Sequence, residues 1–244
     1  MILSIVIPAY NEERRIPKTI KSVSGFLRKN NISFELIVVP NNCSDNTVVV
    51  LQKMQKEEVP EIKIVTIKNE GVTGNTKGLA ISAGMKEANG EYHMFMDADN
   101  ATSFDCILDF INYVKDGFDV VIASRYVPGA KITKKQPITR IMVSRVGNII
   151  IRLLLLPNIY DTQCGFKLFS QKASKRIFVN TTINGWGIDL EILALAKYFG
   201  FKIKEAPVVW EAQDESTVRS HAFFYTLKEL FKIRKNIKNK FYIK

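Results

Sequence analysis

Short, continuously apolar runs alternate along the first half of the chain with longer segments whose apolar residues recur every three or four positions. The runs LSIVIP (3–8), FELIVVP (34–40), IKIVTI (62–67), EYHMFMDAD (91–99) and DVVIAS (119–124) have the length and β-branched content of buried strands. Between them, IPKTIKSVSGFLRKN, DNTVVVLQKMQKE, NTKGLAISAGMKEA and SFDCILDFINYVKD carry helical spacing, with Asp45 or Asn46 placed to cap the second. Strands that are apolar on both sides need cover on both sides. The pattern therefore predicts an α/β fold, a mostly parallel sheet flanked by helices.

After Ser124 the alternation stops. Residues 126–157 read as a basic loop and then one apolar helix or two short ones. A polar knot comes next, DTQCGFKLF (161–169), in which Gly165 is expected to permit a tight turn. A helix over GIDLEILALAKYFGF, a strand over KIKEAPVVW and a basic terminal helix from about His221 complete the expectation. No repeat or linker divides the 244 residues. They read as one domain with a sheet-forming half (1–125), a second half (126–219) and a terminal helix (220–244).

Charge adds a partner to this picture. The net charge is +11, and two segments hold it. Residues 130–157 carry Lys131, Lys134, Lys135, Arg140, Arg145 and Arg152 without an acid, and residues 228–244 carry seven Lys or Arg against Glu229 alone. Both are interleaved with large apolar residues, a combination that fits an anionic membrane surface better than nucleic acid, so no nucleic-acid partner is expected. The run 141–157, interrupted by Arg145 and Arg152, is too short and too charged to span a bilayer. The opening MILSIVIPAYNEE reads as a first strand, not as a signal peptide. Cys43, Cys106 and Cys164 show no metal-ligand spacing, and two histidines are too few for a histidine zinc site. Free thiols in a reducing compartment are expected, hence a cytoplasmic protein held peripherally at the cytoplasmic face of a membrane.

Polar stretches fall where the strands end: PAYNEE, PNNCSDNT, NEGVTGNTKG, DADN and SRY. In open α/β sheets ligands bind beyond the carboxyl ends of the strands. In DAD, Asp97 and Asp99 project to the same side of an extended chain because strand side chains alternate. Two such carboxylates leave room around a Mg²⁺ or Mn²⁺ ion for water and phosphate oxygens, and the ion would neutralise a diphosphate leaving group. The competing reading is a pair of turn or capping acids.

The segments SIVIPAYNEERRI, TKGLAISAGM and MDADNAT resemble family 2 inverting glycosyltransferases of the GT-A fold over about residues 2–125. ASRYVPGAKI, RIMVSR, DTQCGFKLF, WGIDLEIL and VVWEAQDES extend the resemblance to about Val218 and narrow it to the polyprenyl-phosphate branch, nearest the dolichyl-phosphate glucosyltransferases. The QxxRW string of processive synthases does not occur. The resemblance implies that 1–125 is the nucleotide-sugar-binding half and 126–219 the acceptor-side half. It implies that Pro8, Tyr10, Glu12, Asn41 and Lys77 surround the nucleotide, together with Asp97, and that Asp97 and Asp99 bind the metal. It further implies that Arg125, Arg140 and Ser144 hold an acceptor phosphate and that Asp189 lies beside the nucleophile, making Asp189, Asp99, Arg125 and Arg140 the catalytic set. Asp161, Gln163, Gly165 and Trp186 are expected to wall the donor sugar from the acceptor, and Cys164 to be packed.

Two departures bear on this. Where the family usually has a pair of acids after the second strand, this chain has Pro40 and Asn41. A carboxamide offers one donor and one acceptor, matching uracil better than guanine and favouring a UDP-sugar. The N-terminal membrane anchor common in eukaryotic members is also missing from the sequence, so membrane contact is expected through the two basic segments. The resulting expectation is inverting, metal-dependent transfer of a hexose, glucose first, from a UDP-sugar to a polyprenyl (dolichyl) phosphate. The alternatives are a GDP-mannose-dependent mannosyltransferase and a membrane- or nucleic-acid-binding module with a lapsed transferase site.

Overall fold

A computed structural model describes residues 2–67, 76–134, 137–213 and 222–242, without the side chains of residues 138–140, 222 and 223. Seven strands form one sheet: β1 (Ile2–Ala9), β2 (Ser33–Pro40), β3 (Ile62–Ile64), β4 (Tyr92–Met96), β5 (Val120–Ser124), β7 (Phe166–Ser170) and β8 (Ile203–Pro207). Their order is β3-β2-β1-β4-β7-β5-β8. Every pairing is parallel except those of β7, which runs antiparallel to both β4 and β5. A separate parallel pair joins β6 (Lys131–Lys134) to β9 (Val209–Glu211).

Alternation along the strands sorts the core into two layers. Leu3, Ile5 and Ile7 of β1 enter one apolar cluster and Val6 enters the other; Met94 and Met96 of β4 oppose Phe95 in the same way. The first layer is closed by α1 (Ile16–Lys29), α2 (Thr47–Glu57) and α4 (Ile107–Lys115). On α1, Ile16, Ile20, Val23 and Leu27 make the buried stripe, at the spacing of one helix face. The second layer holds α3 (Lys77–Lys86), α5 (Ile138–Leu154), α6 (Gln171–Phe178), α7 (Ile188–Tyr198) and α8 (Ala222–Lys238). All residues of α7 from Ile188 to Ala196 are buried, so this helix is enclosed on every side.

Several expected elements change shape. The apolar run 141–157 forms most of one helix, α5. KIKEAPVVW divides: Pro207 ends the ladder with β5, and after Val208 the chain leaves to pair with β6. IKIVTI is laddered only over Ile62–Ile64, although the Val65 N–H still donates to the Val38 carbonyl at 2.9 Å. The second half of the knot is the largest change. Phe166–Ser170 is a central strand and not a turn returning to the core.

α3 reaches β1 and β2 through a glycine. A Cβ built on Gly84 would lie 2.4 Å from Val6 Cγ1 and 2.9 Å from Val39 Cγ2. Gly84→Ala gains about 1 kcal/mol of helix propensity, but the overpacking it forces costs about 1–3 kcal/mol. We expect a lower urea midpoint with an unchanged slope; a higher midpoint would show that α3 can lift from the sheet at no cost.

Candidate active site

The carboxyl ends of β1, β2 and β4 open on one edge, and the chain turns sharply there. Asn11, Asn42 and Asn100, each just beyond one of these strands, take positive φ of 55°, 52° and 55°, a conformation that asparagine tolerates better than most side chains. The first two loops are cross-linked. Ser44 N–H donates to Asn11 Oδ1 at 2.8 Å, Glu12 N–H to Thr47 Oγ1 at 2.8 Å, and Glu13 N–H to Asp45 Oδ2 at 3.1 Å. Asp45 also accepts from Thr47 N–H at 3.0 Å and Thr47 Oγ1 at 2.6 Å, so it binds the start of α2 and the first loop together.

Asp97 and Asp99 lie just beyond β4. The Asp97 N–H donates to the Gly165 carbonyl at 3.0 Å, and Lys77 Nζ, at the start of α3, meets Asp97 Oδ1 at 2.7 Å. Lys77 also faces Asp189 Oδ2 at 3.9 Å, and its ammonium lies 5.5 Å from the centre of the Trp186 ring. Burial alone would lower the Lys77 pKa, but the carboxylates of Asp97 and Asp189 more than offset this and raise it. Burial, then the Asp97 charge, raises the pKa of Asp99. Glu12 is raised mainly by burial, even though Arg15 grips it at 2.7 and 2.6 Å.

Asp189 lies in the first turn of α7 and is buried. Its Oδ1 accepts from Lys167 Nζ at 2.5 Å, and the same ammonium donates to the Cys164 carbonyl at 2.6 Å. Lys167, fully buried in β7, was not among the expected residues. Its signal was present as a charge inside an apolar run, GFKLF, which alternation points toward the second core layer, where Asp189 and Phe95 lie. Asp97, Lys77, Asp189 and Lys167 thus form a chain of alternating charges from the strand-end acids to the sheet interior.

The knot has different work from that expected of it. Asp161 is buried and receives Arg125 through Nε at 2.7 Å, Nη2 at 2.9 Å and the backbone N–H at 2.9 Å. Burial would raise the Asp161 pKa, but Arg125 holds it below the ordinary carboxylate range. In this geometry Asp161 and the Arg125 fork are turned to each other. Two backbone N–H groups beside it, of Tyr160 and Asp161, are held by Glu205 at 2.7 and 2.9 Å. Gly165 is not in a positive-φ turn. It is needed for clearance, because a Cβ there would lie 2.0 Å from Asp97 Oδ2. Cys164 is buried and its thiol is pushed up to about 12, by burial first and Asp161 next.

Pro8 is half-buried at the end of β1, while Tyr10 beyond it is exposed. Asn41 is buried and its amide nitrogen donates to the Thr76 carbonyl at 3.0 Å and to Thr76 Oγ1 at 2.5 Å. That donor is therefore taken within the protein, and the expected pairing of Asn41 with a base edge is not what this geometry offers. Gln163 is exposed, Trp186 half-buried, and Ser144 half-buried on α5. Arg140 sits in the first turn of α5 with its side chain outside the described residues, as is most of NEGVTGNTKG.

Among the described residues no three His, Cys, Asp or Glu side chains converge to hold a metal ion. Asp97 and Asp99 supply two hard oxygen donors, and the Oδ1 of Asn100 next to them is buried without a hydrogen-bond partner. This donor set fits Mg²⁺ or Mn²⁺ completed by ligand oxygens, as the sequence suggested, and not zinc.

Comparison with known proteins places this arrangement. The model of glycosyl transferase family 2 matches residues 4–178. A dolichyl-phosphate beta-glucosyltransferase of Trichomonas vaginalis is 33% identical over 241 residues, covering 95% of this chain and 72% of the relative. The dolichyl-phosphate beta-glucosyltransferase of Homo sapiens is 30% identical over 246 residues, covering 95% and 74%. The crystal structure of glucosyl-3-phosphoglycerate synthase from Mycobacterium tuberculosis with Mn²⁺, UDP-glucose and phosphoglyceric acid superposes with a TM-score of 0.69 at 16% identity, covering 96% of this chain and 79% of that one. At that identity the last likeness establishes the GT-A fold alone. Matched by the family model over most of its length and by relatives along nearly all of it, the chain belongs to glycosyl transferase family 2 and is a glycosyltransferase.

Proposed function

We propose that this enzyme transfers glucose from UDP-glucose to a dolichyl or other polyprenyl phosphate, with inversion at the anomeric carbon. The observation that carries this reading is Lys77, which links the strand-end acid Asp97 to the acceptor-side acid Asp189 in one cluster. Relatives similar along the whole chain are dolichyl-phosphate beta-glucosyltransferases, which supports the sugar and the acceptor; a neighbour of the same fold binds UDP-glucose with Mn²⁺, which supports the donor.

On this reading Asp97 and Asp99 hold a Mg²⁺ or Mn²⁺ ion, which when bound would offset the charge of the departing diphosphate. Lys77, with little exposure of its own, adds a fixed ammonium at the same edge beside the Trp186 ring. An alkyl phosphate, with a second pKa of about 6, is largely dianionic at neutral pH and attacks without giving up a proton. Its oxygen bonds to the anomeric carbon as the bond to UDP breaks. Asp189 therefore serves to orient sugar and acceptor, not as a base, with one oxygen held by Lys167 and the other facing Lys77.

The acceptor needs a lipid surface. On α5, Met142, Val146, Ile149 and Leu153 are 63%, 55%, 53% and 80% exposed along one face. Phe224, Tyr225 and Phe231 of α8, which packs against α5, are 72%, 62% and 52% exposed. Among the described residues no helix is long and apolar enough to cross a membrane. We propose that these faces lie in the interface of an anionic cytoplasmic leaflet. Arg145 and Arg152 of α5 lie over the rings of Tyr126 and Tyr160, at 4.1 and 4.4 Å from their centres.

Purified enzyme with short-chain dolichyl phosphate, Mn²⁺ and UDP-glucose should yield a glucosyl lipid, and Asp99→Asn should lower kcat on the order of 10²-fold. Product from GDP-mannose alone would overturn the donor, and UDP-glucose turnover without lipid product would overturn the acceptor. Gly165→Ala, which must displace the Asp97 carboxylate, should weaken Mn²⁺-dependent UDP binding at least about tenfold in calorimetry, a loss of about 1.4 kcal/mol. Unchanged binding would remove Asp97 from the donor site. Paired Val146→Asp and Leu153→Asp changes should abolish flotation with anionic liposomes while leaving UDP binding intact; retained flotation would discard α5 as the lipid face.

A further inference from the structure

The loop that carries Trp186 and leads into Asp189 is held from behind by the C-terminal helix. Gly187 N–H donates to Glu229 Oε2 of α8 at 2.6 Å. The approach requires glycine on both sides of Trp186. A Cβ on Gly185 would lie 2.4 Å from Glu229 Oε1, and one on Gly187 would lie 2.7 Å from Glu229 Cβ. The Gly185 and Gly187 backbone N–H groups both favour the charged carboxylate, although burial outweighs them and raises its pKa.

Further along α8 the contact continues. Asn236 Nδ2 reaches Thr182 Oγ1 at 3.5 Å and the Tyr242 hydroxyl at 3.2 Å; that hydroxyl donates to Glu191 Oε1 at 2.7 Å. Glu191 in turn accepts the N–H groups of Thr182 and Ile183, both at 2.9 Å. The other side of the loop rests on the start of α3. Leu79 N–H donates to the Asn184 carbonyl at 3.1 Å, and a Cβ on Gly78 would lie 2.4 Å from the Ile183 carbonyl. Residues 182–187 are thus pressed between the helix that carries Lys77 and the helix that carries Glu229.

From this geometry we infer that Glu229 is a positioning residue for glycosyl transfer: through the backbone of Gly185 and Gly187 it fixes Trp186 against Lys77 and sets the start of α7, and with it Asp189. This rests on the proposed roles of Trp186 and Asp189. The Glu229 carboxylate turns to loop backbone, and Lys232, one turn on, donates to the Thr182 carbonyl of the same loop at 3.5 Å, while Lys228 and Lys235 of this helix are exposed. The consequence is that α8 belongs to the active site although it touches no reacting atom.

The test uses Trp186 as its own reporter. Trp186 and Trp210 are the two tryptophans, so a Trp210→Phe background isolates the first. Glu229→Ala in that background should shift Trp186 emission to the red and quicken its quenching by acrylamide, with no substrate present. It should lower kcat for lipid glucosylation on the order of a hundredfold while the UDP-glucose KM moves far less. Glu229→Gln, which keeps the size and one acceptor oxygen, should fall between the two and guards against a variant that does not fold. Leu230→Ala, which empties buried volume from the same helix, should lower the melting temperature and leave the Trp186 emission in place. If Glu229→Ala leaves the Trp186 emission unchanged, or Leu230→Ala moves it equally, Glu229 is only part of the packing. If the emission moves and kcat does not, positioning has no bearing on transfer. Because the fluorescence arm needs neither donor nor lipid, failure of the proposed reaction in the parent enzyme would be seen separately.

Discussion

A charged lysine in the middle of a sheet is the constraint around which this molecule is arranged. Lys167 lies in β7 with strands on either side and no exposure. Removing an ammonium from water costs several kcal/mol, so it requires an anion in good geometry. Asp189 supplies that anion, and the Cys164 carbonyl takes a second N–H. A carboxylate buried with Lys167 is in turn opposed by Lys77, and Lys77 by Asp97. Each charge is buried only because its neighbour is, and the series ends at the partly exposed acids beyond β4. Removing Asp189 would leave Lys167 buried and uncompensated, so this pair holds its geometry before any ligand arrives.

Strand β7 makes that arrangement possible. Antiparallel between β4 and β5, it begins at the edge where its parallel neighbours end. The residues just before it, Cys164 and Gly165, are therefore delivered to the strand-end acids. The Gly165 carbonyl binds the Asp97 N–H, and the bare Gly165 Cα admits the Asp97 carboxylate. Further back in the knot the chain is fixed by Arg125 and Asp161 to the end of β5. DTQCGFKLF is for the most part a buried brace: Asp161 is answered by Arg125 and Lys167 by Asp189, while Gln163 alone is exposed.

How much of this was legible in the sequence depends on the kind of pattern each feature leaves. Parallel strands and amphipathic helices write themselves as local periodicity, so the elements of the first half were legible, although IKIVTI is laddered only over Ile62–Ile64 and EYHMFMDAD ends as a strand at Met96. β7 was hidden because Lys167 interrupts its five residues, and nothing local says that Asp189, 22 positions away, will neutralise the charge. The division of β8 from β9 depends on which partner each finds, β5 or β6, and is equally non-local. Asn41 shows the limit for side-chain roles. Its type matches a base edge, but its donor is taken by Thr76. Asp97 and Asp99 were legible as the letters DAD, but the strand ends at Met96 and both acids lie in the turn beyond it, where Asp99 accepts the Ala101 N–H at 3.0 Å, so strand alternation does not place them. The glycines were visible as letters, and their reasons were not: Gly165 and Gly187 are needed for side chains that arrive from distant elements.

The family match ends at Phe178, the last residue of α6, and two further helices, α7 and α8, follow it. α7 and α8 lie on the same face of the sheet as α3 and α5, in one continuous apolar layer that includes Ile151, Leu193, Leu230 and Ile233. The loop entering α7 carries Trp186 and leads into Asp189, while α5 and α8 expose large apolar side chains, interleaved on α8 with exposed lysines. An acceptor that is anionic at one end and hydrocarbon at the other requires both features on one side of the enzyme. Because a single packed layer carries them, the charged cluster and the exposed apolar side chains of α5 and α8 cannot drift apart without opening the core. On the proposed reading, the same hydrophobic packing that stabilises the second half of the fold also fixes the distance between the leaflet and the sugar.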